Sequence, residues 1–513
     1  MENRKYNILF HLHTVSGIVI SVVLFVIFFA GSFAFFRDDI NSWQHNQSSA
    51  NNEYLDIDID KALIKLDSGY ILQGRTFQLS RPFREQEFIA HLDPTKDSLA
   101  DKKARIHEYF YVNPTTYKMK TYDQAYGLGE FLYRLHFLAQ IPYPYGYYLA
   151  GFTALFFLFA IITGVLVHWK KIISNFYVFR PKEKLKTMWT DAHTALGMIG
   201  MPFQFVYAVT GAFFLINIFL VAPTVMTLYK GDDAKLYREL GYTNIEYEFA
   251  NKRAPIAINF NEIAATAKKQ FKDFNITMIE IQNYGDANMH VIAEGAIPRA
   301  TKFTGIGKVI FDAKGNIVKK KDPYQTNSYL EGTKDVLYRI HYGDYAGYTL
   351  KIVSFVMGLL TCFVILSGVM LWLTARNKKN TDAKKKRFNN RVVRIYLAIS
   401  MSMYPVTAAA FMAVKIYPEA EMNFLYAFYF TAWLLLTILL LLKKDYGFTT
   451  RFCLAAGSVL GFSIPITNGI LTGNWFWMAL DAGLFQVAFI DIFWNVLAIA
   501  TLFAFLKSRT AKV

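Results

Sequence analysis

Two short segments carry residue types suited to metal chemistry. Tyr133-Arg134-Leu135-His136 recurs as Tyr338-Arg339-Ile340-His341. An uncharged apolar run long enough to cross a bilayer follows each, at residues 150–167 and 352–373. A second pair of motifs, His13-Thr14-x-x-Gly17 and His193-Thr194-x-x-Gly197, opens two further apolar runs. Neutral imidazole is a good ligand for iron, and two histidines from different helices can hold one haem from both sides. The spacing therefore predicts one haem b between His136 and His341 and a second between His13 and His193. His168, at the far end of the run that follows His136, is the reserve ligand. It could replace His13 or His193, or be interfacial, because Trp372 occupies its place in the second copy. His11 falls on a different helical face from His13 and ranks lower. A lone histidine at a membrane edge reads as an interfacial polar cap; the repeat relation of the two pairs is what favours ligands. Arg134 and Arg339 precede the first pair by two residues and could bind haem propionates or lipid headgroups. His45, His91, His107 and His290 fall in polar segments and read as surface or domain-core residues.

The elements that must position these residues are membrane spans. The chain has 513 residues, 54% of them hydrophobic, with the apolar residues gathered in long blocks. A formal charge of +16 sits between the apolar blocks, which points to an anionic membrane face rather than to nucleic acid. Cys362 and Cys453 lie inside apolar runs and form neither a zinc pattern nor a C-x-x-C-H haem attachment.

In order, the chain reads as span 8–36, polar domain 37–132, span 133–171, basic loop 172–190, span 191–222, polar domain 223–337, span 338–375, basic loop 376–394 and a four-helix extension 395–508. The fold class is thus a mainly α-helical membrane protein. It has about eight transmembrane helices, with two small α+β domains inserted in a tandem repeat. Strands are expected at residues 76–79, 88–92, 108–112, 278–281, 289–293 and 309–311, and a helix over 255–271. Lys170, Lys171, Arg180, Lys182, Lys184, Lys186 and the run Lys384–Arg387 share one side with both termini. By the positive-inside rule that side is cytoplasmic. His136 and His341 then lie near the outer face, and His13, His168 and His193 near the inner one. Asp491 in the last run reads as a quinol or proton site, or as an interhelical hydrogen bond.

At these residues the chain resembles the PepSY-associated transmembrane-helix family. The resemblance covers roughly residues 8–376. It rests on the two His-x-x-x-Gly openings, the Thr163-Gly164 and Ser367-Gly368 span ends, and the strand-turns Tyr111-Val-Asn-Pro-x-Thr and Phe311-Asp-x-x-Gly-x-Ile. It implies PepSY-like domains on the periplasmic side of a bacterial inner membrane. It also implies similarity to haem-containing reductases of ferric siderophores, hence iron as the substrate. The donor would be a quinol or a cytoplasmic reductase, since no nucleotide-binding motif is present; the acceptor would be ferric siderophore or another periplasmic oxidant. The competing reading is a non-redox PepSY membrane protein that binds peptides or partner proteins, or assists transport.

Overall fold

The computed structural model describes residues 3–50, 53–169, 180, 185–256, 258–298 and 301–510. Lys170, Lys171, Lys182 and Lys184 lie outside the described residues. The chain divides into a membrane unit of residues 1–47, 127–222 and 340–513 and a polar unit of residues 48–126 and 223–339.

Among the described residues, eight helices of the membrane unit are long and apolar enough to cross a bilayer. They are Asn3–Ala34, Tyr145–His168, Leu185–Leu215, Gly347–Arg376, Ala383–Ile416, Met422–Lys443, Tyr446–Thr472 and Phe485–Thr510, here the first to eighth spans. The chain is a multi-pass membrane protein. The first span packs on the second and fourth, and the third also packs on the second and fourth, so the four repeat spans close a ring. The fifth and seventh spans pack together, the eighth lies on the seventh, and the fifth also touches the fourth.

Several helices are longer than the apolar runs suggest. The fifth starts at Ala383 rather than near residue 395, because Asp382 accepts from the backbone N–H of Lys384 and Lys385 and caps a turn of good helix formers. Most of the basic stretch 376–394 is therefore helix. The first span starts at Asn3, which puts His11 and His13 inside it.

The expected spans 133–171 and 338–375 each divide in two. His136 ends a short helix, Leu128–His136, and the chain turns through Pro142 and Pro144 before the second span begins at Tyr145. His341 lies in a separate helix, Tyr329–Tyr342, which stops where Gly343 and Gly347 take positive φ angles of 59° and 61°. The histidines of this pair thus stand on short helices that precede the spans, not on the spans themselves. The first eight residues of the expected polar domain 37–132 likewise belong to the membrane unit, as the almost wholly buried helix Arg37–Gln44.

The two inserts do not form two separate domains. β1 (Phe77–Ser80), β2 (Phe88–Leu92), β3 (Glu108–Val112) and β4 (Met119–Thr121) come from the first. β5 (Asn275–Gln282), β6 (His290–Ala296), β7 (Gly307–Phe311) and β8 (Ile317–Lys321) come from the second. All eight join one antiparallel sheet in the order β4-β3-β2-β1-β5-β6-β7-β8. β1 and β5 would each be an open edge alone; pairing Phe77 with Ile281 and Leu79 with Ile279 closes both. The helices Ile59–Gly69 and Phe260–Lys268 share one apolar core with the sheet, filled by Leu63, Leu66, Phe77, Phe88, Ile279 and Phe311 among others. They also cap each other. Asp60 accepts from the N–H groups of Phe260 and Asn261, and Asn261 accepts from Ile59 N–H while donating to Asp58. Two inserts joined edge to edge through β1 and β5 must leave the membrane on the same side.

Candidate functional site

The structure brings four histidines of the membrane unit into two pairs. The ring centres of His13 and His193 are 6.1 Å apart, and those of His136 and His341 are 5.9 Å apart. With metal–imidazole bonds of about 2 Å, two rings that bind one metal from opposite sides have centres about 6 Å apart. Both pairs stand at that separation.

The hydrogen bonds decide the tautomers. His13 Nδ1 lies 2.8 Å from the carbonyl oxygen of Ala160, His193 Nδ1 3.0 Å from that of Val364, and His136 Nδ1 3.2 Å from that of Ile27. A carbonyl only accepts, so each Nδ1 carries the proton. His341 Nδ1 lies 2.7 Å from Thr210 Oγ1, whose own hydrogen is donated to the Val206 carbonyl, so this Nδ1 donates as well. In all four rings Nε2 is left with its lone pair. Locking Nδ1 by a backbone acceptor is how proteins orient an imidazole that ligates through Nε2.

Glycines set the rings against the neighbouring helices. A Cβ at Gly164 would come within 3.0 Å of His13, one at Gly368 within 3.1 Å of His193, and one at Gly31 within 2.7 Å of His136. Gly164 follows Thr163 and Gly368 follows Ser367 at matching places in the two copies. The short sequence signatures at the span ends are thus the shelves on which His13 and His193 rest. Gly17 and Gly197 act differently. A Cβ at Gly17 would meet no heavy atom within 4 Å, and one at Gly197 only Val364 at 3.9 Å. Both border a largely apolar cavity of about 210 Å³ between the four repeat spans. His13, His193 and His168 line it, as do Phe157, Trp372 and Arg376. His168 therefore shares the cavity, but the facing pair is His13 with His193; His11 is exposed.

The supports of the His136–His341 pair were not visible in sequence. Tyr207 donates its hydroxyl to the His341 carbonyl at 3.0 Å and lays its ring 5.0 Å from the imidazole. Phe214 closes the other flank, also at 5.0 Å. Helix Leu128–His136 is docked by helix Arg37–Gln44: Gln44 Oε1 and Asn41 Oδ1 accept from Leu128 and Gly129 N–H, each at 2.9 Å. The buried carboxylate of Glu130 receives Arg37 at 2.6 Å and Arg134 at 2.7 Å. Arg134 is thus committed to Glu130, and Arg339 lies over the ring of Phe303, 5.9 Å from its centre. Arg376 borders the cavity of the His13–His193 pair, its guanidinium 4.7 Å from the centre of the Trp372 ring.

Asp491 is fully buried. Its two oxygens accept from Trp43 Nε1 and Asn468 Nδ2, each at 2.8 Å, while Lys415 donates to the Trp43 carbonyl. It joins the seventh and eighth spans to helix Arg37–Gln44.

A family model described as the PepSY-associated TM region matches residues 10–375, well over half of the chain. The chain belongs to this PepSY-associated family. The match ends at Ala375, one residue before the fourth span does, so the PepSY-associated region takes in both imidazole pairs and leaves out spans five to eight. No curated protein matches the chain.

Proposed function

We propose that the chain is a transmembrane electron-transfer protein with two b-type haems that reduces an oxidised acceptor outside a bacterial inner membrane, with ferric siderophore iron as that acceptor. The observation that carries this reading is the doubled imidazole pair. Four rings stand in two pairs at metal-sharing distance, each with Nδ1 spent on a neighbouring helix and Nε2 free to ligate. A haem bound at each pair supplies reversible one-electron chemistry.

The chain's own residues do the positioning. His13 and His193 would hold the inner group, Gly17 and Gly197 leave the cavity beside them open, and Arg376 on its border would meet a carboxylate. His136 and His341 would hold the outer group, with Tyr207 and Phe214 flanking the His341 ring. The pairs are well separated. The first span meets one at His13 and the other at Ile27, fourteen residues later, a rise of about 21 Å. Aromatic rings fill the interval: Phe157 on the cavity wall meets Phe28 at 5.4 Å, Phe28 meets Phe203 at 6.5 Å, and Phe203 meets Tyr207 at 4.2 Å. The basic ends of the spans favour a cytoplasmic location for the His13–His193 end, where a quinol or a reductase would deliver electrons. The chain re-enters the membrane unit at Gly127 and Ile340, shortly before His136 and directly before His341, so the polar inserts are joined to the outer pair by short links.

Iron as the substrate rests on the family resemblance and on one chemical fact. Hard oxygen chelators hold ferric iron more tightly than ferrous, so adding one electron loosens the metal. To test this, the purified protein is reduced anaerobically, freed of reductant and mixed with a ferric hydroxamate chelate and a ferrous trap. Reoxidation of the haem absorption with one ferrous ion trapped per electron is expected. Protein that contains no haem overturns the whole reading. Haem that stays reduced with ferric chelates but is oxidised by another acceptor overturns the iron assignment alone.

A further inference from the structure

The polar unit holds a second cluster of imidazoles. His91 lies on β2, Asp93 directly follows that strand, and His107 directly precedes β3. Since Leu92 pairs with Glu108 in the β2–β3 ladder, Asp93 and His107 come together where the two strands part. Asp93 Oδ1 is 3.3 Å from His107 Nδ1 and 3.9 Å from His91 Nε2. One ligand atom from each residue lies within 4.8 Å of the other two. The two rings are nearly parallel, 10° apart in plane, with centres separated by 6.1 Å.

The backbone beneath the cluster is fixed. Arg75 is only 1% exposed. Its guanidinium donates to the carbonyls of Asp93 at 3.4 Å, Ile106 at 3.2 Å and Lys103 at 3.1 Å. One buried side chain thus ties the residue that bears the carboxylate to the residue just before His107. Thr95 N–H to Ala104 O at 2.8 Å closes the same loop from within, and Asp93 N–H to Thr76 O at 2.9 Å joins it to the sheet. The side chains themselves are open to solvent, His107 at 68%, so further positions around an ion are free for water.

We propose that His91, Asp93 and His107 form a surface site for a first-row divalent metal ion of the zinc or ferrous type. Two imidazoles and one carboxylate suit such ions, and three protein ligands leave positions for water or an exchanging ligand. Bonds of about 2 Å would set neighbouring ligand atoms about 3–4 Å apart, a spacing that the two measured contacts to Asp93 already have. The pre-tied loop removes most of the ordering cost of bringing the three together. The site lies wholly within the polar unit and needs nothing from the haem assignment.

The test is calorimetric titration of the full chain, purified without a polyhistidine tag and stripped with chelator, using zinc chloride as the probe. Wild type is expected to bind one equivalent that His91→Ala and His107→Ala each weaken about tenfold or more, with Asp93→Asn weakening it too. Thermal unfolding without metal should be unchanged in His107→Ala, and added zinc should raise the unfolding temperature of wild type but not of that variant. Equal zinc affinity and stoichiometry in wild type and all three variants overturns the proposal, as does an unfolding temperature that zinc raises equally in wild type and His107→Ala.

Discussion

At the scale of single residues, the histidines divide the labour that each imidazole can do. Nδ1 is spent on orientation, leaving Nε2 with its lone pair, in four rings that come from four different helices. Two substitutions follow from this division. Replacing His341 or His193 by Ala should each remove about half of the haem, read as pyridine haemochrome per chain; full haem content in both variants would dismiss the pairs. Gly17→Leu leaves every ligand in place but puts a side chain where a Cβ now meets nothing within 4 Å. It should empty or distort the His13–His193 site while the His136–His341 spectrum stays unchanged. That His13 pairs with His193 and His136 with His341 was readable from type and repeat position, whereas their hydrogen-bond acceptors were not. Ala160, Val364 and Ile27 contribute backbone carbonyls, a group every residue carries, so no sequence pattern marks them. The metal cluster of the polar unit was hidden for a related reason. His91 and His107 are brought together by strand pairing, and one residue alone suggests nothing.

At the scale of elements, the extension beyond the family-matched region has a structural task. Asp491 and Lys415 hold Trp43, Trp43 belongs to helix Arg37–Gln44, and Asn41 and Gln44 of that helix cap the one that ends in His136. Phe131 on the latter helix also packs against Tyr429 of the sixth span, with ring centres 4.8 Å apart. Asp491→Ala would strand the Trp43 and Asn468 donors in a buried place, a loss of about 1–3 kcal/mol. The expected outcome is a lower unfolding temperature in detergent and a broadened spectrum at the His136–His341 site, with the other site unaffected. In the polar unit, reciprocal capping gives a pH signature. The Asn261 side chain, followed by Lys61, holds the Asp58 carboxyl down to about 2. A carboxyl lowered on folding stabilises above its unfolded value, ordinarily near 4, and that support is lost as pH falls toward 2. Helix Ile59–Gly69 should therefore loosen between about pH 4 and 2, followed by hydrogen exchange relative to Asp58→Asn, which should lack that step.

At the scale of the whole molecule, the sheet shared by the two inserts is a topological constraint. β1 and β5 pair residue for residue, so the two inserts must emerge on the same side of the bilayer. Reporter fusions near Asn113 and Asn316 should both report the outer compartment, and fusions after Arg180 and Lys386 the cytoplasm. Opposite signals at Asn113 and Asn316 would contradict the sheet itself; a shared signal on the cytoplasmic side would reverse the orientation and leave the fold intact.

Composition and repeat spacing alone determined that the chain is a membrane protein, that it has eight spans, that two polar inserts interrupt a duplicated core, and which histidines correspond between the copies. These are local or periodic properties: an uncharged run of some twenty residues has few alternatives to a helix in lipid, and a duplicated motif is visible letter by letter. Only the tertiary structure decided that the inserts share one sheet, that the His136 and His341 helices break off from their spans, that Arg134 serves Glu130, and that His13 faces His193 while His168 stands aside. The shared sheet and the facing of His13 and His193 depend on contacts between residues far apart in the chain, which no single stretch of sequence encodes; the Arg134–Glu130 pair is local, but which partner Arg134 takes is settled only once Glu130 is buried against Arg37.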